Sequence, residues 1–451
     1  MKFMLVNLPE EVLREEGRGN FSTALDMLER FLAKRQLPSI QRRRLEYEKE
    51  RINRLLEAYP YSEEKAKDMF LKEVKGASLE EFQKLLDRGM LDYIVVDGKK
   101  YFQKRFIHNL GFADRNYKER LKKDERTEEA RKLLNTRVKE LMDGAGPRCY
   151  RMVLKMVSRP TRHDLQGNRL RCWLPFPKVV KPVRSVRLLE CDHEEYNVAP
   201  NHRPQRTIYM EDAIKEDTKF AVEVEYTIAE QVHHIDPDEV GNPPAEILDV
   251  YLKEKLPHIV FTPYLRELTR MIVGDETNPY LKAAKIYDWI TTNVRYTYVL
   301  PYAVYSNISQ YVVENLKGDC GFYAILFITM CRIAGVPARW QSGLYVNPNG
   351  FVSPHDWAQF YIKPYGWLPA DLSFGSARKD IPGMREFYFG NLDGYRFVAN
   401  TDILEDFTPS KRFWRSDPVD NQMGEMETEH VNLLYDRDFK TDLEVLQFET
   451  V

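Results

Sequence analysis

Only five cysteines occur in 451 residues, Cys149, Cys172, Cys191, Cys320 and Cys331, and no two stand in a CxxC pair. The odd count argues against a disulfide framework, and none of the spacings suits a structural zinc site. Long apolar runs are missing too. No window approaches the ~18 residues of a membrane-crossing helix, and Met1 to Asn7 offer one lysine and a few apolar residues before Pro9 and Glu10, too little for a secretory leader. Net charge is almost absent, with 67 basic against 69 acidic side chains, so no global field selects for nucleic acid, an anionic membrane or an acidic substrate. Internal repeats and low-complexity tracts are lacking. These absences predict cytoplasmic residence, no metal, no cofactor, and no nucleic-acid or membrane partner; they leave the oligomeric state open.

What is present is a globular composition too long for one core, so two to four domains are expected. Residues 1–145 read as helical. Ala24, Leu25, Leu28, Phe31 and Leu32 form one apolar stripe, and Ser78 with Glu81 makes a capping box ahead of Phe82, Leu85 and Leu86. Asp97-Gly98 between two short apolar runs predicts a tight hairpin. Residues 1–140 carry 32 basic and 26 acidic side chains, a small excess. The helix before the hairpin holds Glu80, Glu81 and Asp87 beside Lys84 and Arg88, so a winged-helix reading predicts a cancelled field. This domain is expected to bind no nucleic acid and to pack on the domains that follow, shaping access to Cys320. Arg42, Arg43 and Arg44 read as a solvated helix face.

From 147 to 235 the apolar period shifts to two, as in Tyr150, Met152, Leu154 and Met156, or Phe220, Val222, Val224 and Tyr226, predicting a small antiparallel sandwich. Asp236 to Pro244 reads as a linker, and His233-His234 beside it as part of that turn rather than a metal site. Residues 245–395 form the third expected domain, with helix starts at Thr262-Pro263 and Asn278-Pro279. Residues 396–451 are expected to extend that domain with edge strands.

The chemistry concentrates in this third domain. Cys320 stands in the first turn of a predicted helix that ends at Gly335-Val-Pro337; there the helix dipole and free amides favour a thiolate. Cys331, further along, faces the core. His355 opens an alternating run, Asp356-Trp-Ala-Gln-Phe-Tyr-Ile362, and a turn at Lys363–Gly366 leads to a second strand ending at Asp371. Such a hairpin sets imidazole and carboxylate on neighbouring strands, which would fix the imidazole tautomer.

Gly318-Asp-Cys320, Ala334-Gly-Val-Pro-Ala-Arg339, Ser342-Gly343, His355-Asp-Trp357 and Gly366-Trp-Leu-Pro-Ala-Asp371 together resemble the core of the transglutaminase-like superfamily, over roughly residues 250–395. Residues 149–230 resemble the β-domain that precedes this core in some bacterial members. The resemblance implies an α+β multidomain protein: a helical N-terminal domain, an antiparallel β-sandwich and a papain-like, transglutaminase-like core. It implies Cys320 as nucleophile, His355 as general base and Asp371 as its orienting carboxylate. A thioester resolved by water makes a protease or amidase, on a peptide, protein or glycopeptide; resolved by an amine, a crosslinker. Glycan-releasing amidases and a catalytically silent peptide- or glycan-binding protein are the alternatives. Gln310, Asn307 and Tyr298 are candidate oxyanion donors beside the Cys320 amide, and Trp340, Gln341 and Trp357 are candidate pocket residues.

Overall fold

The computed structural model describes residues 2–241 and 243–451. It is a mixed α+β protein whose chain divides into two compact units. The first runs to Lys123 and also takes in Arg295–Ser306. Its helices bury two small cores, one around Val12, Leu28 and Ile52, the other around Phe70, Phe82 and Phe102. Asp97 and Gly98 both have positive φ, +47° and +83°, the pairing a type I′ hairpin needs. Ser78 caps its helix by accepting from the Glu81 amide at 3.2 Å. The Glu81 carboxylate, on which the Ser78 backbone also acts, accepts from Tyr117 and Arg120 as well. Arg44 is a correction to the solvated face expected of the arginine cluster, because it is buried and donates to Glu48 at 2.7 Å. Arg295–Ser306 is held in this unit by Tyr47 Oη on Ala303 O at 3.1 Å and by Asn109, whose side chain brackets the Tyr298 backbone at 2.8 and 3.0 Å.

The second unit contains the sandwich and the core. The expected strands form, at Cys149–Pro160, Arg169–Pro175, Val183–Cys191, Thr207–Ala213 and Phe220–Ala229. Their inward residues, among them Met152, Leu154, Cys172, Met210 and Tyr226, share one core. The helix Glu125–Met142, grouped by sequence with the N-terminal domain, packs here: Leu134, Val138 and Leu141 join that same core. Burying side chains of this size stabilises by about 1.5–3 kcal/mol each, which the change of apolar period at 147 does not report. Arg137 adds a bidentate pair to buried Glu230, at 2.8 and 2.6 Å.

The C-terminal residues depart from expectation. Of these residues Arg396–Asn400 joins the sheet of the third domain. Glu425–Glu427 pairs with Arg169–Pro175, and Phe439–Thr450 pairs along the whole of Cys149–Pro160, so these strands complete the two sandwich sheets. The physical reason is the open edge: a twelve-residue strand with unpaired amides is a liability unless another strand covers it. The sheet of the third domain has the order Gly366–Ala370, Val352–Ile362, Ala338–Val346, Arg396–Asn400, all antiparallel. No helix of the described residues is long and apolar enough to cross a membrane.

Candidate active site

The helix Cys320–Ile333 begins at an aspartate cap, Asp319, whose carboxylate accepts from the Phe322 amide at 3.2 Å. Ten residues of its buried face, Phe322 through Cys331, anchor it, so Cys320 projects from the first turn of a rigid element. Beneath it lies the strand Val352–Ile362. Alternation turns His355 and Trp357 to one face of that strand and Asp356, Ala358 and Phe360 to the other. The cysteine helix covers the second face, with Phe327 edge-on to Phe360 at 5.9 Å.

His355 is buried and its Nε2 meets Asp371 Oδ2 at 2.7 Å. Asp371 is the cap of the short helix Leu372–Ser376; its Oδ1 accepts from the Phe374 amide at 3.0 Å and from Ser373 Oγ at 3.1 Å. Its Oδ2 also accepts from Arg396 Nη1 at 2.8 Å. Burial would raise this carboxyl, but His355 and Arg396 outweigh it and hold it well below the usual range. An ionised Asp371 accepting from Nε2 leaves Nδ1 as the basic nitrogen. Burial lowers the His355 pKa despite the Asp371 charge, so the resting imidazole is neutral. Phe374, 4.3 Å between ring centres, and Trp357 wall it in. Opposite His355 in the sheet is Gly343, where a Cβ would come within 1.9 Å of Phe397 O; only glycine lets the Arg396 strand approach.

The thiol is placed differently from expectation. Cys320 Sγ donates to Asp356 Oδ2 at 3.3 Å, and among the described residues no hydrogen bond joins it to His355. Nor do its surroundings make it acidic: burial first, then the Asp356 and Asp319 charges, push the thiol well above its ordinary value. The sequence-based expectation weighed the helix start and left out the residue after the histidine.

The remaining candidates are dispersed. Asn307 spends its side-chain oxygen as a helix cap, accepting from Gln310 N at 3.1 Å and Ser309 Oγ at 3.0 Å. Gln310 accepts from Thr262 and donates to Glu314. Tyr298 belongs to the first unit, where Arg105 lies 4.5 Å from its ring centre. Trp340 is buried and donates to Ser342. Gln341 accepts from Trp357 Nε1 at 2.7 Å, and its own buried Nε2 has no hydrogen-bond partner among the described residues. His233 hydrogen-bonds Gly390 O at 2.7 Å, in keeping with a structural turn.

Sequence reading missed Arg396, Asp420 and Gln422. Arg396 gave one usable signal, a cation inside the apolar run Tyr395–Ala399; a buried guanidinium needs carboxylate partners, here Asp371 and Asp393. Asp420 and Gln422 lie in an irregular stretch with no motif.

Residues 266–372, which include Cys320, His355 and Asp371, match the family model of the transglutaminase-like superfamily. An uncharacterized protein of Haemophilus influenzae is 26% identical over 274 residues, 51% of this chain and 74% of its own length. Among solved structures, a candidate cysteine protease from Cytophaga hutchinsonii aligns with 68% of this chain and 93% of its own at 15% identity and a TM-score of 0.42. The periplasmic domain of TgpA from Pseudomonas aeruginosa aligns with 56% and 94%, at 15% identity and a TM-score of 0.28.

Proposed function

We propose that this chain, which carries a transglutaminase-like domain, is a cysteine-nucleophile acyl-transfer enzyme that hydrolyses an amide or isopeptide bond. The observation that carries the reading is the buried His355–Asp371 pair, on the strand whose other face the Cys320 helix covers. In the reaction the thiol leaves Asp356 and the site rearranges so that Cys320 Sγ gives its proton to His355 Nδ1 and attacks the carboxamide carbon. The proton passes from Nδ1 to the departing amine, leaving a thioester. Water, deprotonated by the same nitrogen, then releases the acid and restores the thiol. Asp371 holds the ring and stabilises the imidazolium without taking its proton. The backbone amide of Cys320, first in its helix and so without an intrahelical acceptor, supports the oxyanion.

Activity profiling on peptide, isopeptide and glycopeptide libraries, with and without an added primary amine, tests this against Cys320→Ala. Release of amine and acid that vanishes in Cys320→Ala supports hydrolysis. Amine incorporation in place of hydrolysis would reassign the chain to transfer. Turnover that survives Cys320→Ala would remove the cysteine from the mechanism.

A further inference from the structure

The carboxylate that receives the Cys320 thiol takes no part in the steps above, and it does not stand alone. Asp356 is 4% exposed and Asp420 3%. Ser342 lies directly across the sheet from Asp356 and gives its hydroxyl to Asp420. Trp340 Nε1 at 2.9 Å and Asn400 Nδ2 at 3.1 Å both donate to the Ser342 oxygen, which fixes the direction of its own proton. Asp356 and Asp420 are held in each other's field beside Ser342, and the Asp420 charge raises the Asp356 carboxyl. Two carboxylates so placed repel when both are ionised, which favours a proton on one of them.

The second Asp356 oxygen is pinned as well. Oδ1 accepts from Gln422 Nε2 at 2.6 Å, and the same amide group donates to His355 O at 3.1 Å. One glutamine therefore holds both the backbone of the histidine and the side chain of its neighbour. The other charged groups that bear on the pair are Asp319 at the head of the cysteine helix, and Asp417 and Arg415 on the C-terminal segment. His355, next on the strand, is committed to Asp371 on the far face. Burial and the Asp417 charge push Asp420 up to about 7, and burial with the Asp420 and Asp319 charges pushes Asp356 well above the carboxylate range. Both carboxyls are thus pushed toward the protonated form, and their mutual repulsion favours one shared proton over two charges.

We propose that Asp356 is a positioning residue that parks the Cys320 thiol in a resting orientation, and that Asp420 governs the hold by sharing a single proton with Asp356. The inference rests on the reading of Cys320 as the nucleophile. At rest the S–H points at Asp356 Oδ2. To react it must leave Asp356 and, through a rearrangement of the site, reach His355 Nδ1, which takes the proton while Nε2–H stays on Asp371; the shared carboxyl proton is neither gained nor lost.

The two carboxyls have opposite consequences. Asp356→Asn confines the charge to Asp420, further from sulfur, so the thiolate forms at lower pH. Asp420→Asn confines it to Asp356, against the sulfur, so the thiolate forms at higher pH. A packing defect alone would not produce opposite signs.

The test is the rate of iodoacetamide alkylation of Cys320 in the full chain, resolved by peptide mass spectrometry, from about pH 5 to about pH 9. Asp356→Asn should react roughly tenfold faster at about pH 6.5, its midpoint lower by about one unit, and Asp420→Asn should react more slowly. An unmoved or raised midpoint in Asp356→Asn, or shifts of the same sign in both variants, overturns the proposal. Should Asp356→Asn fail to fold, Asp420→Asn decides alone: a raised midpoint supports the proposal and any other result overturns it. Failure of the nucleophile reading is distinguishable, since it shows as turnover persisting in Cys320→Ala whatever the two aspartate variants do.

Discussion

Replacing Arg396 by methionine removes the guanidinium that joins Asp371 and Asp393 in a fully buried cluster. Its Nη1 reaches Asp371 at 2.8 Å and its Nη2 reaches Asp393 at 2.6 Å, with all three side chains at 0% exposure. The guanidinium also lies 4.4 Å from the Phe374 ring centre and 5.3 Å from that of Trp357; methionine keeps much of this apolar contact, so the loss is chiefly electrostatic. Removing one partner of a buried ion pair costs about 3–5 kcal/mol. The pH dependence then has a definite sign. In the native protein Asp371 is held low by His355 and Arg396 against the effect of burial, so its contribution is present above the unfolded value of about 3.9 and is lost only as pH falls through the lower folded value. Without the cation, burial prevails and the Asp371 carboxyl rises. The charged form is then destabilising at neutral pH, and the deficit narrows as acid protonates it.

Urea unfolding followed by tryptophan fluorescence measures this, because all six tryptophans, from Trp173 to Trp414, lie in the second unit. The expected result is a loss of about 3–5 kcal/mol near pH 7 that shrinks toward about pH 5. A deficit below about 1 kcal/mol, or one of constant size across that range, refutes the argument that Arg396 is what keeps Asp371 ionised.

Three further outcomes are expected. Asp371→Asn keeps a side-chain oxygen for the Phe374 amide but loses the charge behind the imidazolium, so kcat should fall by roughly three to four orders of magnitude with the circular dichroism unchanged; near-native turnover would assign the orienting role elsewhere. Burial lowers the His355 pKa, so the acid limb of kcat/KM should fall below about pH 6.5, and a limb above neutrality would show that another base acts. Deleting Phe439–Thr450 uncovers the whole Cys149–Pro160 edge, and light scattering should report self-association at concentrations where the intact chain scatters as a single species.

Local signals were enough for much of the fold. Period-two alternation located the sandwich strands from Cys149 to Ala229, Asp97-Gly98 required its positive-φ turn, and Ser78, Thr262 and Asn278 cap their helices as their neighbours in sequence imply. These features depend on contacts within a few residues, and so they can be read in order along the chain. The His355–Asp371 pair was legible for the same reason, since one short hairpin carries both.

What tertiary structure alone decided involves partners far apart in sequence. The Cys149–Pro160 strand finds Phe439–Thr450 across nearly three hundred residues, and Glu125–Met142 takes its place by burying Leu134 and Val138 in a core built from later segments. At the site, Cys320 meets Asp356 because alternation turns that side chain, and not the preceding histidine, toward the cysteine helix. Asp371 keeps its charge because Arg396, 25 positions on, reaches it in the dry interior. Desolvation acts on whatever the fold encloses, so the acidity of the thiol and of its neighbouring carboxyls was set only when the distant chain segments closed around them.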